Sequence, residues 1–360
     1  MTRLRTFVPW PGAPLGIASA ALFGASTPLA KALLGEGVNP WLLAGLLYLG
    51  SGLGLAVVHF GRKAAGRPSE EAPLARGDWI WMALVALAGG VAGPVLLMLG
   101  LTTTPASSAA LLLNLEGLAT MAIAWLVFRE NVDRRLLLGA AAILAGALLL
   151  SWQGGGLAGF GLGALYIAGA CLAWGIDNNL TRRISGSDPV QIAMIKGLVA
   201  GTVNFALATA MGSHLPATRL IAGAAVVGFL GYGVSLVLFV LALRYLGTAR
   251  TGAYFSTAPF IGALLAVALF SEPVTWTLIV AAALMAGGLY LHLVERHDHE
   301  HAHEALEHEH PHAHDEHHQH AHGPGDPTGE PHTHRHRHEH LIHKHPHYPD
   351  LHHRHGHDHA

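Results

Sequence analysis

Three groups of charged and amide side chains lie within stretches otherwise too apolar to hold them. Glu116, with Asn114 and Thr120, falls in "LLLNLEGLATMAIAWLVF"; Asp177, with Asn178 and Asn179, falls in "CLAWGIDNNL"; and Lys196 falls in "AMIKGLVAG". An ionised group at the centre of a bilayer costs about 2.5–3.5 kcal/mol on insertion scales, so each one needs a partner, a cavity or a function. Glu116 comes about eleven residues into its stretch, roughly 16 Å deep at ~1.5 Å per residue, without a sequence-adjacent cation. It is the candidate for binding a substrate or carrying a coupling proton; a satisfied helix-packing role is the alternative. Asp177 and Lys196 stand at similar depths on neighbouring stretches, so the plainer expectation for them is a structural ion pair. Together, Glu116, Asn114, Asp177, Asn178, Lys196 and Ser26 are the candidate substrate-binding residues, Ser26 because Ser26-Thr27-Pro28 occupies the place in the first half that Asp177 occupies in the second. Glu130 and Glu272 lie at the ends of apolar stretches and read as structural marks.

A second chemistry sits at the other end of the chain. Of 28 histidines, 25 lie after residue 296, leaving His59, His214 and His292 upstream. The candidate metal ligands are His297, His299, His301, His303, His308, His310, His312, His317 and His318, then His332, His334, His336, His338, His343, His345, His347, His352 and His353. They form two copies of one module, 297–322 and 332–357, offset by 35 residues and joined by "GPGDPTGEP". Eleven histidines coincide between the copies, as do Glu304 with Glu339, Leu306 with Leu341, Pro311 with Pro346 and Asp315 with Asp350. Imidazole with interleaved carboxylate suits borderline divalent ions such as Ni, Co or Zn, and the tail holds no cysteine for a closed thiolate site. Its composition predicts a segment disordered in the absence of metal. The rival reading is a pH sensor: protonating half the imidazoles near pH 6.5 would turn a net charge of −8 into about +4 and change its attraction to an anionic leaflet.

The elements that must position these groups follow from hydropathy. The chain has 360 residues, 51% hydrophobic and 12% charged, with one cysteine, a balance that excludes a soluble enzyme, a nucleic-acid binder and a disulfide scaffold. Those averages join two unlike parts, residues 1–296 at +6 and residues 297–360 at −8. The first part offers ten apolar stretches of about the 20 residues a membrane-crossing helix needs. They lie near 14–34, 40–60, 79–100, 105–128, 136–152, 160–181, 190–211, 220–243, 248–270 and 274–294. A cleaved secretory signal is the alternative for the first, but nine further stretches favour an inserted helix. Fourteen Lys and Arg fall on one alternating set of connections, against only Lys31 and Arg219 on the other. The positive-inside rule then predicts an inner-membrane protein with both termini, and the tail, in the cytoplasm.

The apolar part is itself duplicated. A shift of 142 residues places Gly89 on Gly231, Phe128-Arg129-Glu130 on Phe270-Ser271-Glu272, Ala140-Ala141 on Ala282-Ala283 and Gly146 on Gly288. Gly24 meets Gly175 at a slightly different offset. Five spans per copy is an odd number, so the halves must be inverted relative to one another, the plan of alternating-access transporters with a site near the midplane. The small-residue face Gly197-Leu-Val-Ala-Gly201 serves helix packing within one chain, and nothing in the sequence supports a homodimer.

At this point the residues match a family. "ALLLNLEGLATMAIAWLVFRENVDRRLLLGAAAILAGALLL" and "GAYFSTAPFIGALLAVALFSEPVTWTLIVAAALMAGGLYL" resemble the end of an EamA domain, and the chain is similar to two-domain EamA-type permeases of the drug/metabolite transporter superfamily over residues 14–294. It departs in having Glu116-Gly117 where the second half has Ala258-Pro259. The resemblance implies an all-α membrane protein of ten helices in two inverted five-helix repeats, 14–152 and 160–294, after a cytoplasmic segment 1–13, moving small solutes. It leaves the solute open.

Three functions compete. The first is a secondary transporter exporting a divalent metal gathered by the tail; the second is an exporter of an organic metabolite, such as an amino acid or drug-like solute, whose tail buffers metal or regulates. The third is a membrane-tethered metal store or sensor. None is an enzyme and none requires a cofactor. Gly154-Gly155-Gly156 lacks the Lys-Ser/Thr of a phosphate-binding loop, which leaves an ion gradient as the energy source.

Overall fold

The computed structural model describes residues 12–66, 73–128, 134–152, 161–181, 183–184, 187–293, 297–303, 307–312, 332–337 and 341–347. The chain divides into two units, Met1–Glu295 and Arg296–Ala360.

The described part of the first unit is helical: α1 (Gly12–Gly35), α2 (Pro40–Ala64), α3 (Trp79–Val85), α4 (Gly93–Thr103), α5 (Ala106–Leu112), α6 (Leu115–Phe128) and α7 (Arg134–Ser151), then α8 (Leu162–Thr181), α9 (Pro189–Ala210), α10 (Thr218–Gly228), α11 (Ser235–Phe255), α12 (Ala258–Phe270) and α13 (Trp276–Leu293). Among the described residues, eight segments are long and apolar enough to cross a membrane: 12–35, 40–64, 76–103, 106–127, 134–151, 189–210, 218–242 and 276–293. The expected sixth stretch is α8, whose polar Asp177-Asn178-Asn179 lowers its hydropathy, and the expected ninth includes the shorter α12. Local chemistry starts two of the helices. The Asn39 and Asp188 side chains accept from backbone N–H groups at the N-termini of α2 and α9, each with Pro in its first turn, where the missing N–H costs nothing.

Glycine brings the helices close. In the α2–α9 contact a Cβ on Gly197 would lie 2.7 Å from Gly52 Cα, and one on Gly45 would lie 2.7 Å from Phe205 N. The small-residue face of α9 is therefore used within the chain, as close small-residue packing requires.

Irregularities recur at the repeat spacing. A π-helical turn at Ala86–Ala92 joins α3 to α4, and another at Phe229–Val234 joins α10 to α11. The break between Leu112 and Leu115 has its counterpart between Phe255 and Ala258. All of these positions agree with the 142-residue shift to within one residue, and α7 maps onto α13. Packing follows the same exchange: α1 lies on α11 and α12, while α8 lies on α4 and α6.

One expected boundary is corrected: the loop expected between 243 and 248 is helical, because α11 runs on to Phe255. The stretch expected at 105–128 is present as 106–127, with a helix break at Leu113-Asn114 inside it. Pro28 lies inside α1 without ending it.

The described residues of the second unit form two strand pairs. Strand β1 (His297–His303) pairs antiparallel with β4 (Leu341–His347), and β2 (Glu307–His312) pairs antiparallel with β3 (His332–Arg337). Alternation of His with other residues has the period of a strand, and the register sets Glu300 opposite Lys344, Glu307 opposite Arg337 and Glu309 opposite Arg335. His317, His318, His338, His352 and His353 lie outside the described residues, as do Glu130, the linker and most of segment 1–13.

Candidate functional site

The break before α6 creates the site. Asn114 donates to Leu111 O both from its backbone N–H, at 3.1 Å, and from Nδ2, at 2.8 Å, closing the end of α5, and the chain re-enters a helix with Glu116 in its first turn. Glycine at 175 lets α8 approach α6 almost backbone to backbone: a Cβ there would lie 2.9 Å from Thr120 N. Across this contact Asn178 Nδ2 donates to Glu116 Oε1 at 3.0 Å and Thr120 Oγ1 at 3.2 Å. Asn179 Nδ2 donates to Thr120 O at 3.1 Å and Gly175 O at 2.8 Å. Asn178 is exposed and Glu116 half-buried, so this carboxylate network borders open space.

Behind it, Asp177 is buried at 4% exposure and forms an ion pair with Lys196 of α9. Thr181 Oγ1 donates to the second carboxylate oxygen at 3.2 Å. The Asp177 carboxylate also packs against Gly89, where any Cβ would collide with it. Asp177 and Lys196 neutralise each other formally, so an ionised Glu116 leaves this group with one net negative charge.

The π-helical turn supplies a third component. Such turns loosen the regular hydrogen-bond ladder and recur at functional sites. Here Gly89 O accepts from Tyr48 OH at 2.8 Å and Trp174 Nε1 at 2.9 Å, and Gly90 O accepts from Asn204 Nδ2 at 3.1 Å. Asn204 is fully buried, and among the described residues its Oδ1 has no hydrogen-bond partner. Tyr48 stacks obliquely on Tyr232 at 5.4 Å, and Phe23 meets Tyr232 edge-on at 6.0 Å. Aromatic side chains thus line the region between the two π turns.

The structure brings Glu116 and Asn178 into one network and Asp177 and Lys196 into one pair. Asn114 acts instead on the helix break. Ser26 Oγ donates to Phe23 O at 2.6 Å, and Ser26 abuts Gly231 as Asp177 abuts Gly89, so the two halves repeat the contact with different chemistry. Reasoning from sequence missed Tyr48 and Trp174 because single aromatic residues in apolar helices carry no pattern; the interior Gly89-Gly90 pair was the available signal. Among the residues whose side chains are described, no group of three or more His, Cys, Asp or Glu stands together as a metal site.

Two further polar residues act at helix ends. Glu272 accepts from Ala106 N at 2.7 Å and Ser107 N at 3.0 Å, and from the Ser107 hydroxyl, capping α5. Lys31 Nζ donates to Leu101 O and to Thr104 O, covering the end of α4.

Membrane-length helices, a duplicated pattern of π turns and broken helices, and an internal carboxylate network define a multi-pass membrane transporter. The EamA-like transporter family matches residues 10–152 and again 161–294, and the chain belongs to that family. An uncharacterized transporter of Methanothermobacter thermautotrophicus is 27% identical over 289 residues, covering 76% of this chain and 84% of that protein. A probable 4-amino-4-deoxy-L-arabinose-phosphoundecaprenol flippase subunit ArnE of Pseudomonas fluorescens is 36% identical over 86 residues, 24% of this chain and 73% of that protein. A crystal structure 19% identical in sequence superimposes with a TM-score of 0.58, covering 78% of this chain and 95% of its own, a likeness of fold.

Proposed function

We propose that this protein is an ion-coupled exporter of a small cationic or zwitterionic solute, working by alternating access between two inverted five-helix halves in the inner membrane. The observation that carries the reading is the network of Glu116, Asn178 and Thr120 beside the Asp177–Lys196 pair, with one carboxylate left formally unneutralised next to open space. A negative centre of this kind favours a positively charged group and offers a protonation site for coupling. The π turns and helix breaks repeated at a 142-residue spacing support two equivalent halves, and an odd number of spans per half supports inversion. The excess of Lys and Arg on one set of connections supports cytoplasmic termini.

The organic solute is the leading reading because the described polar centre holds few metal-type ligands: Asp177 is already paired and Glu116 accepts from an amide. The partial likeness to a flippase subunit named for an amino-sugar lipid is in keeping with an amine-bearing cargo. The second reading, export of Ni, Co or Zn, rests on the duplicated histidine tail, which would gather the ion on the cytoplasmic side.

Cells expressing the full chain, a form ending at residue 296 or Glu116→Gln separate these readings. Under the first, Glu116→Gln abolishes tolerance of an exported amine or amino acid, while tail deletion leaves it within about twofold. Under the second, both changes abolish tolerance of Ni, Co or Zn. Unchanged tolerance of every solute in the Glu116→Gln strain contradicts both.

A further inference from the structure

We propose that the two histidine modules form one paired metal-binding unit, in which each divalent ion takes imidazoles from both copies. The inference rests on the reading of the tail as a metal-binding segment and adds where the ligands of each ion come from.

Both ribbons share one register. The pairs are His297–His347, His299–His345 and His301–His343 in the first ribbon, and His308–His336, His310–His334 and His312–His332 in the second. Histidine therefore stands opposite histidine six times, and within each ribbon the three pairs occupy alternate positions, the same face of a strand. Opposed residues of an antiparallel pair have Cα atoms about 4.5–5.5 Å apart. An imidazole nitrogen binds Zn at about 2.0–2.1 Å, so one ion is within reach of ligands from both strands. Two successive pairs supply the four nitrogens of a tetrahedral site.

The charges identify the partner of each module as the other module. Residues 297–322 carry seven acidic residues and no Lys or Arg, whereas 332–357 carry four basic residues and two acidic ones. At the 35-residue spacing Glu300 is replaced by Arg335 and Glu309 by Lys344. Duplication that only multiplied ligands has no reason to reverse these signs. In the observed register the reversals become Glu300 opposite Lys344 and Glu309 opposite Arg335, with Glu307 opposite Arg337. Opposite charges facing across a strand pair stabilise it, and like charges destabilise it. A first module folded on itself would gain no such pair.

The test uses the purified full-length protein in detergent, titrated with Zn against a chromophoric chelator. Ending the chain at residue 331 is expected to weaken the remaining sites at least tenfold, and ending it there while retaining half the sites at unchanged affinity would overturn the pairing. In a Cys171→Ser background, Ala302→Cys with Ile342→Cys, which are register partners, should form a disulfide at least fivefold faster than Ala302→Cys with Thr333→Cys, and Zn should widen the difference. Equal rates for the two cysteine pairs would also overturn it. Failure of the unaltered protein to bind Zn sinks the metal-binding reading itself, a result distinct from either of these.

Discussion

At the scale of single residues, the site holds two carboxylates in different settings. Glu116 borders open space and is held by an amide, whereas Asp177 is buried with Lys196. Removing one member of a buried ion pair leaves the other uncompensated at a cost of about 3–5 kcal/mol. Lys196→Ala should therefore lower thermal stability in detergent steeply, and Asp177→Asn combined with Lys196→Met should recover most of the loss. Replacing Trp174 with Phe removes one of the two donors to Gly89 O, the Tyr48 hydroxyl remaining, and should cost about 0.5–1.5 kcal/mol in the same assay. Much of this was legible from sequence: a charge in an apolar stretch is conspicuous, and depth counting placed Asp177 beside Lys196. Which amide would serve Glu116 was not legible, because the contact with Asn178 depends on the closeness of α6 and α8 across residue 175.

At the scale of elements, the breaks and π turns matter more than helix number. Hydropathy located the apolar stretches but could not place the break at Leu113-Asn114, which has neither Pro nor Gly and is stabilised by a side chain acting on its own backbone. Nor did it foresee that α11 continues past residue 247, since a short glycine-containing connection and a helix differ there only through tertiary packing. Glu272 was legible as a repeated mark; the helix it caps, 165 residues earlier, was not. Glu272→Ala should cost about 0.5–2 kcal/mol through the lost cap, read as a lower unfolding temperature, with Glu272→Gln retaining part of it. Gly175→Leu should be worse than either, because its side chain must enter the backbone contact with α6, and it should abolish transport even where protein still accumulates.

At the scale of the whole molecule, the duplication in sequence reappears as duplicated irregularities and exchanged packing, with unlike chemistry at matching places. Asp177 of the second half stands against Gly89 of the first, and Ser26 of the first half against Gly231 of the second. An arrangement of this kind keeps two equivalent frames while concentrating charge on one side of the centre. Orientation is a separate expectation from the distribution of Lys and Arg. In intact cells a membrane-impermeant thiol reagent should label His214→Cys and not Lys63→Cys, with the buried Cys171 silent in both. The proposed mechanism has Glu116 couple an ion gradient to solute movement. Its most direct measurement is flux in proteoliposomes under an imposed pH gradient, comparing the unaltered protein with Glu116→Gln for one cationic or zwitterionic solute exported in cells. Gradient-driven accumulation is expected of the unaltered protein and none of the variant, with both proteins equally folded. Accumulation by Glu116→Gln at the unaltered rate would contradict it.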